Sequence, residues 1–334
     1  MTEHQAPDSS APPAPPKKRR RWLRVVLPVL FFLCAIEMPN PFEEFFWGLF
    51  SPTRIDRVGA PVQPRIHEPS RMVLLISFDG LARTVLAKHT PSTIADLARD
   101  GTVATFATDI ATSTLESHGV MVSSQSMEES GFSAHTYRPW SHFRGPTIFT
   151  VCAREGWRCG LFTGKIKLAA LVAKEPGCER FEYRRDKGKS GDGPEVLDTA
   201  LAYIHERDPD FVMIHLPDVD VVGHRSGWGS DEQLEALTRL DQALSTFLIQ
   251  ASMATSRHLA VVVTADHGGR DKAHRDQSPE VSQVPWILWG PGIQHSLISS
   301  DVSELDTAPT IAALLGVDPP PEWRGHPLVP VAGR

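Results

Sequence analysis

The sequence predicts an α/β domain built on a mostly parallel sheet with helices on both faces. From Arg71 onward, short β-rich apolar runs alternate with segments of helical period, the order that builds a layered α/β fold. The runs are nearly continuous in apolar residues instead of alternating, as strands buried on both faces must be. A chain of 334 residues can bury such a core, and one domain of about 250 residues plus a tail is the natural partition.

The elements justify this in order. Residues Met1 to Pro16 are rich in Pro, Ala and Ser and are expected to be disordered. A basic block follows, Lys17, Lys18, Arg19, Arg20 and Arg21, and then an apolar stretch from Val25 to Ile36, interrupted by Pro28 and ended by Glu37. Those twelve residues would rise about 18 Å as helix, short of the roughly 30 Å hydrocarbon core. A positive region before a short apolar segment reads as a secretion signal or signal anchor, and the lack of a small-x-small cleavage site favours an uncleaved anchor. The expected division is therefore 1–21 disordered basic tail, 22–37 anchor or signal peptide, 38–70 linker or interfacial segment, and 71–330 folded domain. Phe42 to Phe50, with aromatics around Glu43 and Glu44, would lie at the membrane surface. This makes the membrane a partner through the N-terminal segment, with the domain exported to the periplasm or the cell exterior, or secreted if cleaved. A helix packed on the domain is the alternative.

Strands are expected at Met72 to Phe78, Arg158 to Phe162, Phe211 to Leu216, Leu259 to Thr264 and Pro285 to Trp289. Thr90-Pro91 supplies a cap and a first-turn proline to a helix carrying Ile94 and Leu97. Ser230 and Gln233 form a capping box before the stripe Leu234, Leu237, Leu240 and Leu244, which is core by its period. Asp306 to Leu315 reads as a further helix, stopped by Gly316 and the prolines that follow.

Charge and cysteines narrow the function classes. The net charge is −6 and the clustered cations lie in the tail, so nothing on the domain points to nucleic acid. Cys34, Cys152, Cys159 and Cys178 show no CxxC spacing, which argues against a structural zinc. In an exported domain one pair among the last three can oxidise; buried, inert thiols are the other reading.

Three predicted strands end in acids. The first runs into Asp79-Gly80, the third into Asp218, Asp220, Gly223 and His224, and the fourth into Asp266-His267-Gly268-Gly269 with His274 soon after. Carboxyl ends of strands form the ligand crevice of open α/β sheets. So many acids together are costly without bound cations, and a mixed His/Asp set suits zinc or manganese better than a carboxylate-only magnesium site. Taken singly, Asp79 has a reading as a helix cap and His267 as a core histidine.

The motifs in this order resemble the alkaline phosphatase superfamily, in its nucleotide pyrophosphatase/phosphodiesterase-like (type I phosphodiesterase) branch. Ser77-Phe78-Asp79-Gly80 is similar to the opening metal motif, and Pro91-Ser92-Thr93-Ile94 with Leu97 to Gly101 to the stretch after it. Thr112 to His118 resembles the nucleophile segment, Asp220-Val221-Val222-Gly223-His224 the Asp-x-x-Gly-His motif, and Thr264 to Gly269 the Asp-His-Gly motif. Gly290-Pro291-Gly292 and Asp306 to Ile311 resemble the closing segment.

The resemblance implies an alkaline phosphatase-like three-layer α/β/α sandwich and two divalent metal ions, zinc or manganese. One would be held by Asp79, Thr114, Asp266 and His267, the other by Asp220, His224 and a later histidine, His274 in preference to His295 or His326. It implies Thr114 as catalytic nucleophile, a phosphothreonine intermediate, and a phosphoester substrate, nucleotide or other diester. Many members carry Pro-Asn after the nucleophile, with the Asn on the phosphoryl group; here Glu116 and Ser117 stand there, so Ser117 is the expected substrate contact. Lys165, Lys167, Arg270 and Lys272 are further candidate contacts, each also readable as a surface charge. The sulfatase signature Cys-x-Pro-x-Arg is missing, because Cys152-Ala153-Arg154 lacks the proline. Rival readings are a phosphatase acting on monoesters, a membrane-associated phosphoryl-group transferase, and an inactive metal-binding receptor for phosphorylated ligands.

Overall fold

The computed structural model describes residues 69–107, 113–131, 144–172, 178–182 and 193–329. The expected tail, anchor and nearly all of the linker lie outside these residues, and among the described residues no helix is long and apolar enough to cross a membrane.

Among the described residues eight strands form a single sheet: β1 (Arg71–Phe78), β2 (Thr102–Ala107), β3 (Cys159–Thr163), β4 (Cys178–Glu182), β5 (Phe211–Leu216), β6 (His258–Thr264), β7 (Gln283–Trp289) and β8 (Ser296–Ser303). The spatial order is β4-β3-β5-β1-β6-β7-β2-β8. Only β7 runs against the rest, pairing antiparallel with β6 and β2. The predicted strands are all present. β2, β4 and β8 were missed, and they occupy or adjoin the sheet's edges, where apolar runs are not required.

Among the described residues the longer helices are α1 (Arg83–Lys88), α2 (Ser92–Asp100), α3 (Thr114–Ser123), α4 (Ile148–Glu155), α5 (Gly193–Arg207), α6 (Asp218–Ser226), α7 (Asp231–Met253) and α8 (Thr307–Leu315), with two single-turn α-helices and two 3₁₀ helices besides. α2, α5, α6 and α7 pack together over β3, β5 and β7, while α3, α4 and α8 pack as a second group that meets β1. From Met72 to Phe78, β1 is fully buried, as a central strand covered on both faces must be.

Two caps differ from expectation. Thr90 does not cap α2; Pro91 takes the N-cap position, and the free amides of Thr93 and Ile94 donate to the two carboxylate oxygens of Asp241 on α7, each at 2.9 Å. Proline has no side-chain acceptor, so a carboxylate from a neighbouring helix takes that role. At α7 half of the capping box forms. Ser230 accepts from the Gln233 amide, but the Gln233 side chain instead accepts from Gly229 and donates to Val219.

Cys159 is disulfide-bonded, Cys178 stands opposite it in the β3–β4 register, and Cys152 is buried.

Candidate active site

The strand order fixes the site. β5, β1 and β6 are adjacent and parallel, so the residues after their carboxyl ends become neighbours at about 4.8 Å spacing. Asp79 follows β1, Asp220 lies in the first turn of α6 after β5, and Asp266 follows β6. The Asp79 amide donates to Leu216 O, extending the β1–β5 ladder past the strand, and the Gly80 amide donates to Asp266 Oδ1 at 3.1 Å. Gly80 has φ of +74°, and a Cβ there would stand 3.0 Å from the Asp220 backbone and side chain. A glycine is required for the two acids to approach this closely.

Two groups of ligand atoms result: Asp79, Asp266 and His267 in one, Asp220, His224 and His274 in the other, each with its atoms within 4.8 Å of one another. These are the two sets expected from the sequence, Thr114 apart. Asp79 Oδ1, Asp220 Oδ1, Asp266 Oδ2 and His267 Nε2 are buried and have no hydrogen-bond partner. Buried polar atoms are nearly always satisfied, so four orphans converging on one place call for a cation. The histidines are set for it. His267 Nδ1 donates to Gly268 O at 2.9 Å and His224 Nδ1 to Lys272 O at 3.0 Å, which makes Nε2 the lone-pair nitrogen of each ring; that of His224 faces His274 Nε2 at 3.1 Å. The donor set fits zinc or manganese.

Electrostatics agree. Burial pushes the Asp79 and Asp220 carboxyls up, but Lys165 and the surrounding histidines outweigh it and hold both well below the usual range. Burial, and then His267, push His274 down to about 3, keeping it neutral for ligation. His224 is lowered by burial but raised more by Asp220.

Thr114 begins α3 and is 1 % exposed. Its Oγ1 lies 3.3 Å from Lys165 Nζ, which also contacts Asp79 Oδ2 at 2.7 Å and Asp220 Oδ2 at 2.8 Å. Lys165 is therefore buried between the ligand sets and the hydroxyl; the surface reading was wrong for it. Arg270, by contrast, is exposed and pairs with Asp276.

Ser117 departs from its expected substrate contact. It is fully buried, and its hydroxyl faces Asp266 O at 2.8 Å and Glu304 Oε1 at 2.7 Å, so it braces the end of β6 from beneath. Asp218 stays outside both sets: it accepts from the Gly193 amide, and burial raises it to about 6.

Three supports escaped the sequence reading. His215, the last residue but one of β5, places Nε2 2.8 Å from Asp79 Oδ2. His118 donates from Nδ1 to Thr114 O at 2.6 Å and accepts at Nε2 from Ser77 Oγ at 2.8 Å. Glu304 sits under Ser117. A histidine inside an apolar strand gives no periodic signal; only the fold shows what it touches.

Residues 73–284 match the type I phosphodiesterase / nucleotide pyrophosphatase family. The chain belongs to that family. Among curated proteins it is 31% identical over 142 residues to a 2,3-bisphosphoglycerate-independent phosphoglycerate mutase of Haloarcula marismortui, covering 41% of this chain and 26% of that one. It is 25% identical over 238 residues to the human ectonucleotide pyrophosphatase/phosphodiesterase family member 7, covering 63% of this chain and 50% of that one. The chain thus spans about a quarter to a half of the length of these relatives. In fold it is similar to murine ectonucleotide pyrophosphatase/phosphodiesterase 5, an inactive variant in complex with AMP. That likeness has a TM-score of 0.62 at 13% identity over 77% of this chain and 96% of that one. The alkaline phosphatase-like sandwich expected from the sequence is the fold observed.

Proposed function

We propose that this family member is a metal-dependent phosphoester hydrolase, acting on a diester or pyrophosphate bond, with Thr114 as nucleophile. The four orphaned ligand atoms in two sets beside a buried threonine hydroxyl carry the reading. Asp79, Asp266 and His267, with Thr114, would hold one dication and Asp220, His224 and His274 the other; when bound, they would favour the Thr114 alkoxide and neutralise phosphoryl charge.

The chain's own groups do the rest. Thr114 Oγ1 attacks phosphorus in line, the P–O bond to the leaving alcohol or phosphate breaks, and water then cleaves the phosphothreonine. The first amides of α3 have no helical partner and favour an anion at Thr114. Lys165 Nζ, already beside Oγ1, is placed to donate to a phosphoryl oxygen. His118 fixes the Thr114 carbonyl and with it the start of α3.

Export and membrane anchoring belong to the same reading. They are supported by the basic block before Val25 to Ile36 and by the disulfide at Cys159, a bond that persists in oxidising compartments.

Hydrolysis of bis(nitrophenyl) phosphate and nitrophenyl phosphate by zinc- and manganese-loaded protein tests the reading. The diester should turn over faster, chelator should stop it, and Thr114→Ala should abolish it while metal content stays near two per chain. Normal turnover by Thr114→Ala would remove the nucleophile. Faster monoester cleavage would point to a phosphatase, and headgroup appearing on an acceptor in place of free product would point to a transferase.

A further inference from the structure

Trp228, in the turn after α6, touches the three chain segments that carry the Asp and His ligands. Its indole Nε1–H donates to Gly80 O at 2.8 Å, one residue after Asp79. Its backbone amide donates to Asp271 O at 2.7 Å, in the loop between His267 and His274. Its ring stands edge-on to His224, with centroids 5.1 Å apart at 86°, and to His274, 6.0 Å apart at 67°.

The chain is cut to admit this ring. A Cβ on Gly269 would come within 2.1 Å of the indole Cε2, and one on Gly223 within 2.9 Å of Cδ2. Neither glycine has a positive φ. Their backbones would accept any residue, so what demands glycine is the space already taken: at Gly269 by the indole alone, and at Gly223 by the indole together with the Gln233 side-chain nitrogen, 2.8 Å from such a Cβ. Gly223 precedes His224 and Gly269 follows Gly268 of the Asp-His-Gly motif, so two ligand motifs share one packing partner.

We propose that Trp228 is a positioning residue that sets the planes of His224 and His274 relative to the Asp79 loop, and thereby sets the affinity of the second ligand set. The inference rests on the two-cation reading above. The ring packs against both imidazoles, while its indole N–H ties it to the Asp79 loop and the backbone amide of the same residue ties the turn to the loop after His267. Ligand groups held in this way lose less freedom when a cation binds, and outer contacts of this kind commonly govern metal affinity.

The test is a zinc titration of the metal-stripped full chain against a chromophoric chelator, with thermal melts alongside. His274→Ala identifies which of the two binding steps belongs to the second set. Trp228→Ala should weaken that step by about 10- to 100-fold and the other by less than about threefold. Trp228→Phe keeps an aromatic edge and should recover the second step to within about threefold of the native protein. If Trp228→Ala fails to fold, Trp228→Leu, which keeps bulk without a ring edge, carries the same expectation. Both steps unchanged, or both weakened equally in step with a lower melting temperature, would make Trp228 a packing residue and overturn the proposal. Fewer than two zinc ions on the native chain would instead overturn the two-cation reading itself, before any variant is compared.

Discussion

The Nε2 atoms of His224 and His274 face one another at 3.1 Å, and both lie within 4 Å of Asp220 Oδ1, at 3.3 and 3.8 Å. His224 comes from α6 and His274 from the loop after β6, 50 residues apart in sequence, so the fold brings them together. Removing His274 should leave the set of Asp79, Asp266 and His267 intact. His274→Ala is expected to bind one zinc in place of two, with turnover reduced at least about 100-fold, since a site short of one ligand loses most of its charge-stabilising power. Elemental analysis of the purified variant checks this, and two retained ions would exclude His274 as a ligand.

Lys165 supplies the positive charge that faces Asp79 and Asp220. Taking it away leaves buried carboxylates short of a counter-charge, at a cost of about 3 kcal/mol or more. Lys165→Met should therefore melt well below the native protein in chelator. Added zinc should narrow the gap, because a dication supplies the missing charge. Turnover should still fall by roughly 100- to 1,000-fold, as when a donor to transition-state charge is lost. Melts with and without metal, next to steady-state rates, separate the two effects.

Ser117 is expected to matter for stability more than for substrate. Ser117→Ala deletes a hydroxyl held between Asp266 O and Glu304 Oε1, and should cost about 1–3 kcal/mol. KM should stay near native. A KM raised many-fold with unchanged stability would return Ser117 to the substrate.

His118 gives the fold a dependence on pH. Burial pushes it from 6.5 down to about 4, so the unfolded chain takes up its proton first as pH falls. The stability that neutral His118 contributes is complete above about pH 6.5 and drains away toward pH 4, at up to about 1.4 kcal/mol per pH unit. His118→Gln, which does not titrate, should show a shallower loss across this window when denaturation is followed in chelator. Parallel slopes would show that other groups dominate.

Much of this was legible in the sequence, and for physical reasons. Asp79, Asp220 and Asp266 stand directly after apolar runs, and in a parallel sheet that position is the crevice. The missed elements lack such a signature. All ten residues of α3 are buried, so Thr114–Ser123 has no polar face to mark a helical period. β4 reads Cys-Glu-Arg-Phe-Glu and β8 carries serines and an aspartate, as edge strands do. Lys165 looked like any surface lysine because its three partners, Asp79, Thr114 and Asp220, all lie more than 50 residues away in sequence.

The carboxylate of Asp241 has a consequence for how the molecule assembles. It sits on α7 yet closes the first turn of α2, nearly 150 residues upstream. Until α7 has docked, the amides of Thr93 and Ile94 have no acceptor, and the shorter helix begins with a frayed end. The protection of those amides against hydrogen exchange should therefore report the opening of α7 and not any local unwinding of α2.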